Sequence, residues 1–144
     1  MAALAEHTRT IHIDAPAEKV FGYVEDPAHY LGAYPEKYQN TLEAVNRNPD
    51  GTVASYEAKR HQLGMHLSAT YTRLEYVPNE RIVDHSFLGI DFTLAVEPDA
   101  TGTTLSVGWE ISRLMDTLDK VMVHSAKNVE SALVKIKQEV EALS

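Results

Sequence analysis

The sequence predicts an α+β protein in which a seven-stranded curved antiparallel sheet wraps around a long C-terminal helix, with two short helices between strands 1 and 2. Three observations predict this class: a strand followed by two helix starts, a run of six alternating segments, and a final segment with helical periodicity. Because a single long helix follows the sheet, the sheet is expected to bury its apolar face on that helix. We expect one domain over residues 1–144.

The N-terminal part contains the first strand and both short helices. Thr8–Ile13 alternates polar and apolar residues, which is typical of a half-buried strand. Pro16, with an acidic residue in the turn that follows, marks a helix start. Pro27, preceded by an aspartate, repeats the signal, and this second helix is predicted to end near Tyr34.

The rest of the chain contains the meander and the final helix. Six alternating segments separated by turn residues lie between Gln39 and Ser112. From Leu114 the apolar residues recur with a helical period. The stripe on one face of this helix consists of Leu118, Val121, Met122, Ser125, Val129, Leu133, Ile136 and Val140.

The composition excludes several kinds of partner. The formal net charge is −8, and nucleic acid, whose phosphates require a basic face, is therefore not expected to bind. The chain has no cysteine, which excludes disulfides and thiolate chemistry. No apolar run approaches the ~20 residues of a membrane helix, and Met1–His7 lacks the basic and long apolar regions of a signal peptide. We therefore expect a cytoplasmic protein that is not an integral membrane protein, and no cofactor is indicated.

Three segments resemble one superfamily. Thr10–Phe21 looks like the N-terminal signature of the START-like superfamily, and Leu74–Ile82 and Gly102–Leu105 look like its hairpins. That superfamily includes polyketide cyclases and dehydratases, lipid-transfer domains and birch-pollen-type allergens. The resemblance covers nearly the whole chain and implies the helix-grip fold with an internal cavity. It leaves the function open between carriers, enzymes and protein-binding modules. A tryptophan common after the second helix in relatives is absent, since Leu31–Tyr34 stand there, and no catalytic residue is carried over.

Hairpin pairing assigns residues to the two faces of the sheet. A tight turn at Leu63-Gly64 predicts the opposed pairs His61/His66, Arg60/Leu67, Ala58/Ala69 and Tyr56/Tyr71. A turn at Gly89-Ile90 predicts the pairs Phe87/Phe92, His85/Leu94 and Val83/Val96. The next turn predicts Val96/Leu105, Leu94/Val107 and Phe92/Trp109. Apart from His85, every member of the last two sets is apolar, so we assign these residues to the inner face.

Alternate turns of a meander lie at the same end of the sheet. The polar end is predicted to contain Asn48–Gly51, Val77–Glu80 and Pro98–Gly102, which have ordinary turn chemistry. The apolar end is predicted to contain the other turns together with Tyr34–Tyr38 and Arg113–Met115. Clustered apolar loops indicate the mouth of a ligand pocket or a docking surface, unless they fold inward and fill the core. The predicted mouth residues are Leu63, Met65, Leu88, Ile90, Leu114 and Met115.

A few polar side chains fall on the predicted inner face. Arg60 is a candidate anchor for a ligand anion, or else a residue whose charged tip reaches solvent. His85, Tyr71 and Tyr56 are candidate acid–base groups, or else a hydrogen-bonded core cluster. His61 and His66 are expected to face outward without a third ligand, so no metal site is predicted. The predicted ligand-binding residues are Arg60, Tyr56, Tyr71, His85, Phe87, Phe92, Leu94, Val107, Trp109, Leu67, Met122 and Ser125.

These observations leave three hypotheses for function. The leading one is a module that binds or transports a hydrophobic or amphipathic small molecule, such as a lipid, a polyketide or an aromatic metabolite. The second is an enzyme of the cyclase or dehydratase type that uses the histidine and tyrosines of the pocket. The third is a protein-interaction module that docks through its apolar end.

Overall fold

The computed structural model describes residues 4–34, 39–62, 64–86, 90–122 and 125–143. Its strands are β1 (Leu4–Ile13), β2 (Thr41–Arg47), β3 (Val53–Gln62), β4 (Met65–Val77), β5 (Arg81–Ser86), β6 (Asp91–Pro98) and β7 (Thr103–Ser112). Its helices are α1 (Ala17–Val24), α2 (Pro27–Gly32), α3 (Arg113–Met122) and α4 (Ser125–Ala142). The strands form one antiparallel sheet in the order β1-β7-β6-β5-β4-β3-β2. The predicted helix-grip fold is confirmed.

The two short helices begin where the sequence predicts. Pro16 is the N-cap of α1, and its extended backbone turns the chain out of β1. Asp26 caps α2, where its side chain accepts a hydrogen bond of 2.9 Å from the backbone N–H of Ala28. The first strand starts at Leu4 rather than at Thr8, because the whole segment pairs with β7.

The core lies between the sheet and α4. Val129, Leu133, Ile136 and Val140 of the predicted stripe are buried against the inner face of the sheet, together with Ile13, Ile82, Leu105 and Val107. The helical segment predicted from Leu114 onward is present as α3 and α4, and residues 123–124 between them lie outside the described residues. Leu118 of the predicted stripe is exposed rather than buried, and the main sheet contacts of α3 are with β7 and β1.

Two of the three predicted registers are confirmed. The β3–β4 pairs centre on the Leu63-Gly64 turn, where Gly64 supplies a φ of +76°, and the β6–β7 pairs are also as predicted. The β5–β6 register is wrong by three residues: Phe92 pairs with Asp84, and His85 pairs with Asp91. An odd shift moves every side chain of β5 to the other face. Ile82, Asp84 and Ser86 are therefore buried, and Val83 and His85 lie on the outer face.

Candidate ligand-binding cavity

A cavity of about 350 Å³ lies between the sheet and helices α2, α3 and α4. Its size is within the range of small-molecule sites, about 300–1,000 Å³. Most of the side chains that surround it are apolar or aromatic. The described lining residues are Tyr30, Leu31, Tyr34, Asn40, Tyr56, Ala58, Lys59, Arg60, Leu67, Ser68, Ala69, Tyr71, Ser86, Ile90, Phe92, Ile111, Met115, Leu118, Asp119, Asn128 and Val129.

The structure brings seven of the thirteen predicted residues whose side chains it describes to this cavity. Of the predicted ligand-binding set, the lining contains Arg60, Tyr56, Tyr71, Phe92 and Leu67, and of the predicted mouth set it contains Ile90 and Met115. Met65 and Leu114 are exposed at the apolar end and are not among the lining residues. Phe87, Leu63 and Leu88 lie outside the described residues, and the structure does not describe the side chains of Met122 and Ser125.

Three predicted lining residues lie in the packed core instead. Leu94, Val107 and Trp109 are 4%, 1% and 3% exposed and belong to the core that packs on α4. The Trp109 ring stacks on His7, its partner on β1, with ring centroids 5.1 Å apart. Their assignment to the inner face is confirmed, but the inner face has a filled half and a hollow half, and these residues lie in the filled half.

The placement of His85 corrects the predicted acid–base group. His85 lies on the outer face, where Nδ1 contacts the carboxylate of Asp91 directly opposite on β6. The cause is the three-residue difference in the β5–β6 register. His85 therefore cannot reach a ligand in the cavity, and its prediction as a ligand-binding residue and catalytic candidate is wrong.

A buried ion pair occupies the position expected for His85 and was not predicted. Asp84, 4% exposed, accepts hydrogen bonds from the Tyr56 hydroxyl at 2.8 Å and from the Arg73 Nε at 2.9 Å. Arg73 also donates to the Glu25 carbonyl oxygen at 3.2 Å, which ties the end of α1 to the sheet. Burial and the nearby Asp84 carboxylate raise the pKa of Tyr56 well above 10, so this phenol stays protonated. A correct β5 register would have revealed the pair.

Tyr30 and Tyr34 form a second polar group in the cavity wall that the sequence reasoning missed. Their hydroxyl oxygens are 2.5 Å apart, and their rings meet edge to face with centroids 5.3 Å apart. Burial raises the pKa of Tyr34 to about 12 and that of Tyr30 well above 10. The available signal was the i, i+4 spacing of two tyrosines that begins in α2.

Arg60 and Tyr71 complete the polar groups on the sheet side. Tyr71 stacks on Tyr56 with centroids 5.0 Å apart and ring planes at 13°. Burial raises the pKa of Tyr71, and the Arg60 guanidinium opposes this shift, which places a positive charge near the phenol. The positive charge of Arg60 also opposes the rise in the pKa of Tyr34. At neutral pH Tyr71 and Tyr34 therefore stay protonated, as does Tyr56, whose hydroxyl donates to Asp84.

The sequence and the fold can be compared with known proteins. Over residues 5–141 the chain matches the family described as polyketide cyclase/dehydrase and lipid transport. The chain belongs to this family. A search of curated proteins found no match.

Solved structures with the fold of this family cover nearly the whole chain. Protein Ms6760 from Mycobacterium smegmatis has a TM-score of 0.77 at 13% identity, covering 96% of this chain and 92% of that one. Protein CV1439 from Chromobacterium violaceum has a TM-score of 0.70 at 20% identity, covering 94% of this chain and 96% of that one. The di-domain ARO/CYC StfQ from the steffimycin biosynthetic pathway has a TM-score of 0.71 at 12% identity. The match covers 96% of this chain and 52% of that one. At these identities the likeness shows the fold alone.

Metal chemistry finds no support among the residues that the structure describes, where no cluster of three histidine or carboxylate side chains is arranged to hold an ion. His61 and His66 pair across β3 and β4 with ring centroids 4.8 Å apart, and neither is among the described residues that line the cavity. No helix within the described ranges is long and apolar enough to cross a membrane.

Proposed function

We propose that the protein binds or carries a hydrophobic or amphipathic small molecule, such as a lipid, a polyketide or an aromatic metabolite, in its internal cavity. The cavity itself is the observation that carries the proposal, since about 350 Å³ of space lies between the sheet and the helices within a largely apolar wall. Apolar surface left unfilled forfeits packing energy, and a ligand in that space restores those contacts. The family description, which includes lipid transport, agrees with this proposal.

Arg60 gives the proposed ligand a preferred orientation. It lies on β3 opposite Leu67, two residues before the end of the strand at the apolar end. A guanidinium in a partly buried wall stabilises a carboxylate or another anion through charge-assisted hydrogen bonds. The apolar body of the ligand then lies against Phe92, Ala69 and the α4 side of the wall.

Binding has more support than catalysis or protein docking. The described lining residues include no histidine, and the raised pKa values of Tyr56 and Tyr71 make these phenols poor bases at neutral pH. The exposed apolar residues Leu114 and Met115 stand beside the cavity, so an entrance for an apolar ligand accounts for them without a protein partner.

Filling the cavity tests the proposal. Ala69 lines the cavity, and Ala69→Phe puts an aromatic ring into that space. The probe is 1-anilinonaphthalene-8-sulfonate, which has an apolar body and an anionic tip. The wild-type protein is expected to bind it saturably at one site, and Ala69→Phe is expected to weaken binding at least ~10-fold, as loss of about 1.4 kcal/mol implies.

The matched control places the same ring outside the cavity. Ala44→Phe adds it on the exposed face of β2, and probe affinity should not change. Thermal unfolding of each variant shows whether the fold is retained. Probe binding that Ala69→Phe leaves intact in a folded protein, or the lack of a saturable site in the wild type, contradicts the proposal.

A further inference from the structure

The Tyr30–Tyr34 pair has a hydrogen-bond balance that points to a ligand group. Two phenols contain two hydroxyl hydrogens, and the 2.5 Å contact between the oxygens uses one of them. Among the described residues, neither hydroxyl has a second hydrogen-bond partner. One phenolic hydrogen is therefore left over in a wall that lines the cavity.

The burial of the two phenols indicates which tyrosine presents that hydrogen. Tyr30 lies in α2 and is 7% exposed, whereas Tyr34 follows the helix and is the less buried of the two. The hydrogen bond from Tyr30 lowers the pKa of Tyr34, and the positive charge of Arg60 lowers it too, although burial outweighs both effects. Either hydroxyl can donate within the pair. The lower burial of Tyr34 favours the arrangement in which Tyr30 donates to Tyr34 and Tyr34 directs its own hydrogen toward the cavity.

We propose that the Tyr30–Tyr34 pair selects ligands that carry a carbonyl oxygen, by donating the remaining phenolic hydrogen to that oxygen. This inference rests on the proposed function of the cavity and names the chemical class of its ligand: an apolar aromatic or alicyclic ketone or quinone. Tyr34 is the contacting residue, and Tyr30 is a positioning residue that orients its hydroxyl.

The chemistry of the pair favours a carbonyl oxygen over other groups. Both phenols are neutral, so they satisfy a neutral acceptor without the cost of burying a net charge. A donated hydrogen bond also strengthens when the donor accepts one itself, which is the state of Tyr34. On the sheet side, by contrast, the Tyr56 hydrogen is committed to Asp84, so that phenol is not free to select for an acceptor.

Two matched probes measure the selection. The first is 2-acetylnaphthalene, and the second is 2-isopropenylnaphthalene, in which a methylene group replaces the carbonyl oxygen at nearly the same shape. Titration followed by ligand-observed NMR gives both dissociation constants. The wild-type protein is expected to bind the ketone roughly tenfold more tightly, as expected when a buried donor gains its partner. In Tyr34→Phe the dissociation constants of the ketone and the alkene should become about equal, while the alkene affinity changes little.

The variants separate the roles of the two residues. Tyr30→Phe should reduce the preference only in part, because Tyr34 keeps its hydrogen. Tyr23→Phe is the control: it removes a phenol that stacks on His29 and does not line the cavity, and it should leave the preference unchanged. A preference that survives Tyr34→Phe, or equal affinities in the wild type, overturns the inference and leaves the proposed function standing. Failure of both probes to bind counts against the proposed function itself.

A measurement on the wild type alone guards against a variant that fails to fold. The infrared carbonyl band of 2-acetylnaphthalene labelled with ¹³C at the carbonyl is expected to shift to lower wavenumber on binding, relative to its position in hexane. A bound ketone whose carbonyl band stays at the hexane position overturns the inference.

Discussion

At the polar end of the sheet, charged side chains join the strands, the turns and α4, whereas at the apolar end large apolar side chains reach solvent. His12 on β1 bonds to Asp99 of the β6–β7 turn at 2.7 Å, and Lys137 of α4 donates to the His12 carbonyl oxygen at 2.9 Å. At the other end Leu114 and Met65 are 75% and 54% exposed. The difference separates an end that is held together by hydrogen bonds and ion pairs from an end that exposes apolar surface.

The buried ion pair between the two ends should give the largest effect on stability. Asp84→Asn keeps the shape of the side chain but removes the buried carboxylate that is paired with the Arg73 guanidinium, and both side chains are at most 6% exposed. Removing one partner of a buried pair costs about 3–5 kcal/mol. We expect the free energy of unfolding, measured by urea denaturation, to fall by that amount.

Two further variants define that result. Replacing both partners, as Arg73→Met with Asp84→Leu, should recover most of the loss, because no unpaired charge stays buried. Leu114→Ser at the apolar end should change the free energy of unfolding by less than about 0.5 kcal/mol, since the leucine is exposed. If Asp84→Asn costs no more than Leu114→Ser, the assignment of stability to the ion pair is wrong.

The turn at the polar end should give the next largest effect. A Cβ at Gly102 would lie 2.3 Å from the Ile13 carbonyl oxygen, a backbone atom that cannot move without breaking the end of β1. Gly102→Ala is expected to lower the free energy of unfolding by about 1–3 kcal/mol, as overpacking does. The matched control is Gly22→Ala in α1, where a Cβ meets nothing within 4 Å and helix propensity predicts a gain of up to about 1 kcal/mol. Equal effects of the two substitutions would refute the close approach at Gly102.

These features differ in how far the sequence predicted them. The β3–β4 and β6–β7 registers follow from the sequence because only one pairing puts the apolar residues on a common face. For β5 the turn at Gly89-Ile90 predicted Val83 and His85 inside, and burying Asp84 instead is costly unless its charge is compensated. The groups that compensate it, Tyr56 and Arg73, lie on other strands, so their proximity is a property of the folded sheet.

The cavity was predictable in position but not in extent. The inner face was correctly assigned for Tyr56 and Tyr71 and for Trp109, yet only the first two line the cavity. Whether α4 fills the space beside a residue depends on its distance from the sheet, which no one-dimensional pattern contains.

The smallest effect is expected from the pH dependence of the polar end. Hydrogen bonds to Asp99 and then to Asp14 raise the pKa of His12 above 6.5, and the hydrogen bond from His12 lowers the pKa of Asp99 to about 2. A raised histidine pKa stabilises the fold fully below 6.5, and this contribution is lost as the pH rises through the raised value. The lowered aspartate pKa stabilises the fold above 3.8, and that contribution is lost as the pH falls toward 2.

His12→Gln isolates this contribution. Because the groups are exposed, we expect Tm to fall by no more than a few degrees at pH 6. The difference from wild type should shrink as the pH rises toward 9 and His12 loses its charge. His66→Gln removes an exposed histidine that has no carboxylate partner among the described residues, and its Tm should not show this pH dependence. A Tm difference for His12→Gln that is the same at pH 6 and pH 9 would mean that the histidine acts through packing, and the polar end would then owe its stability to Gly102 and the turn rather than to charge.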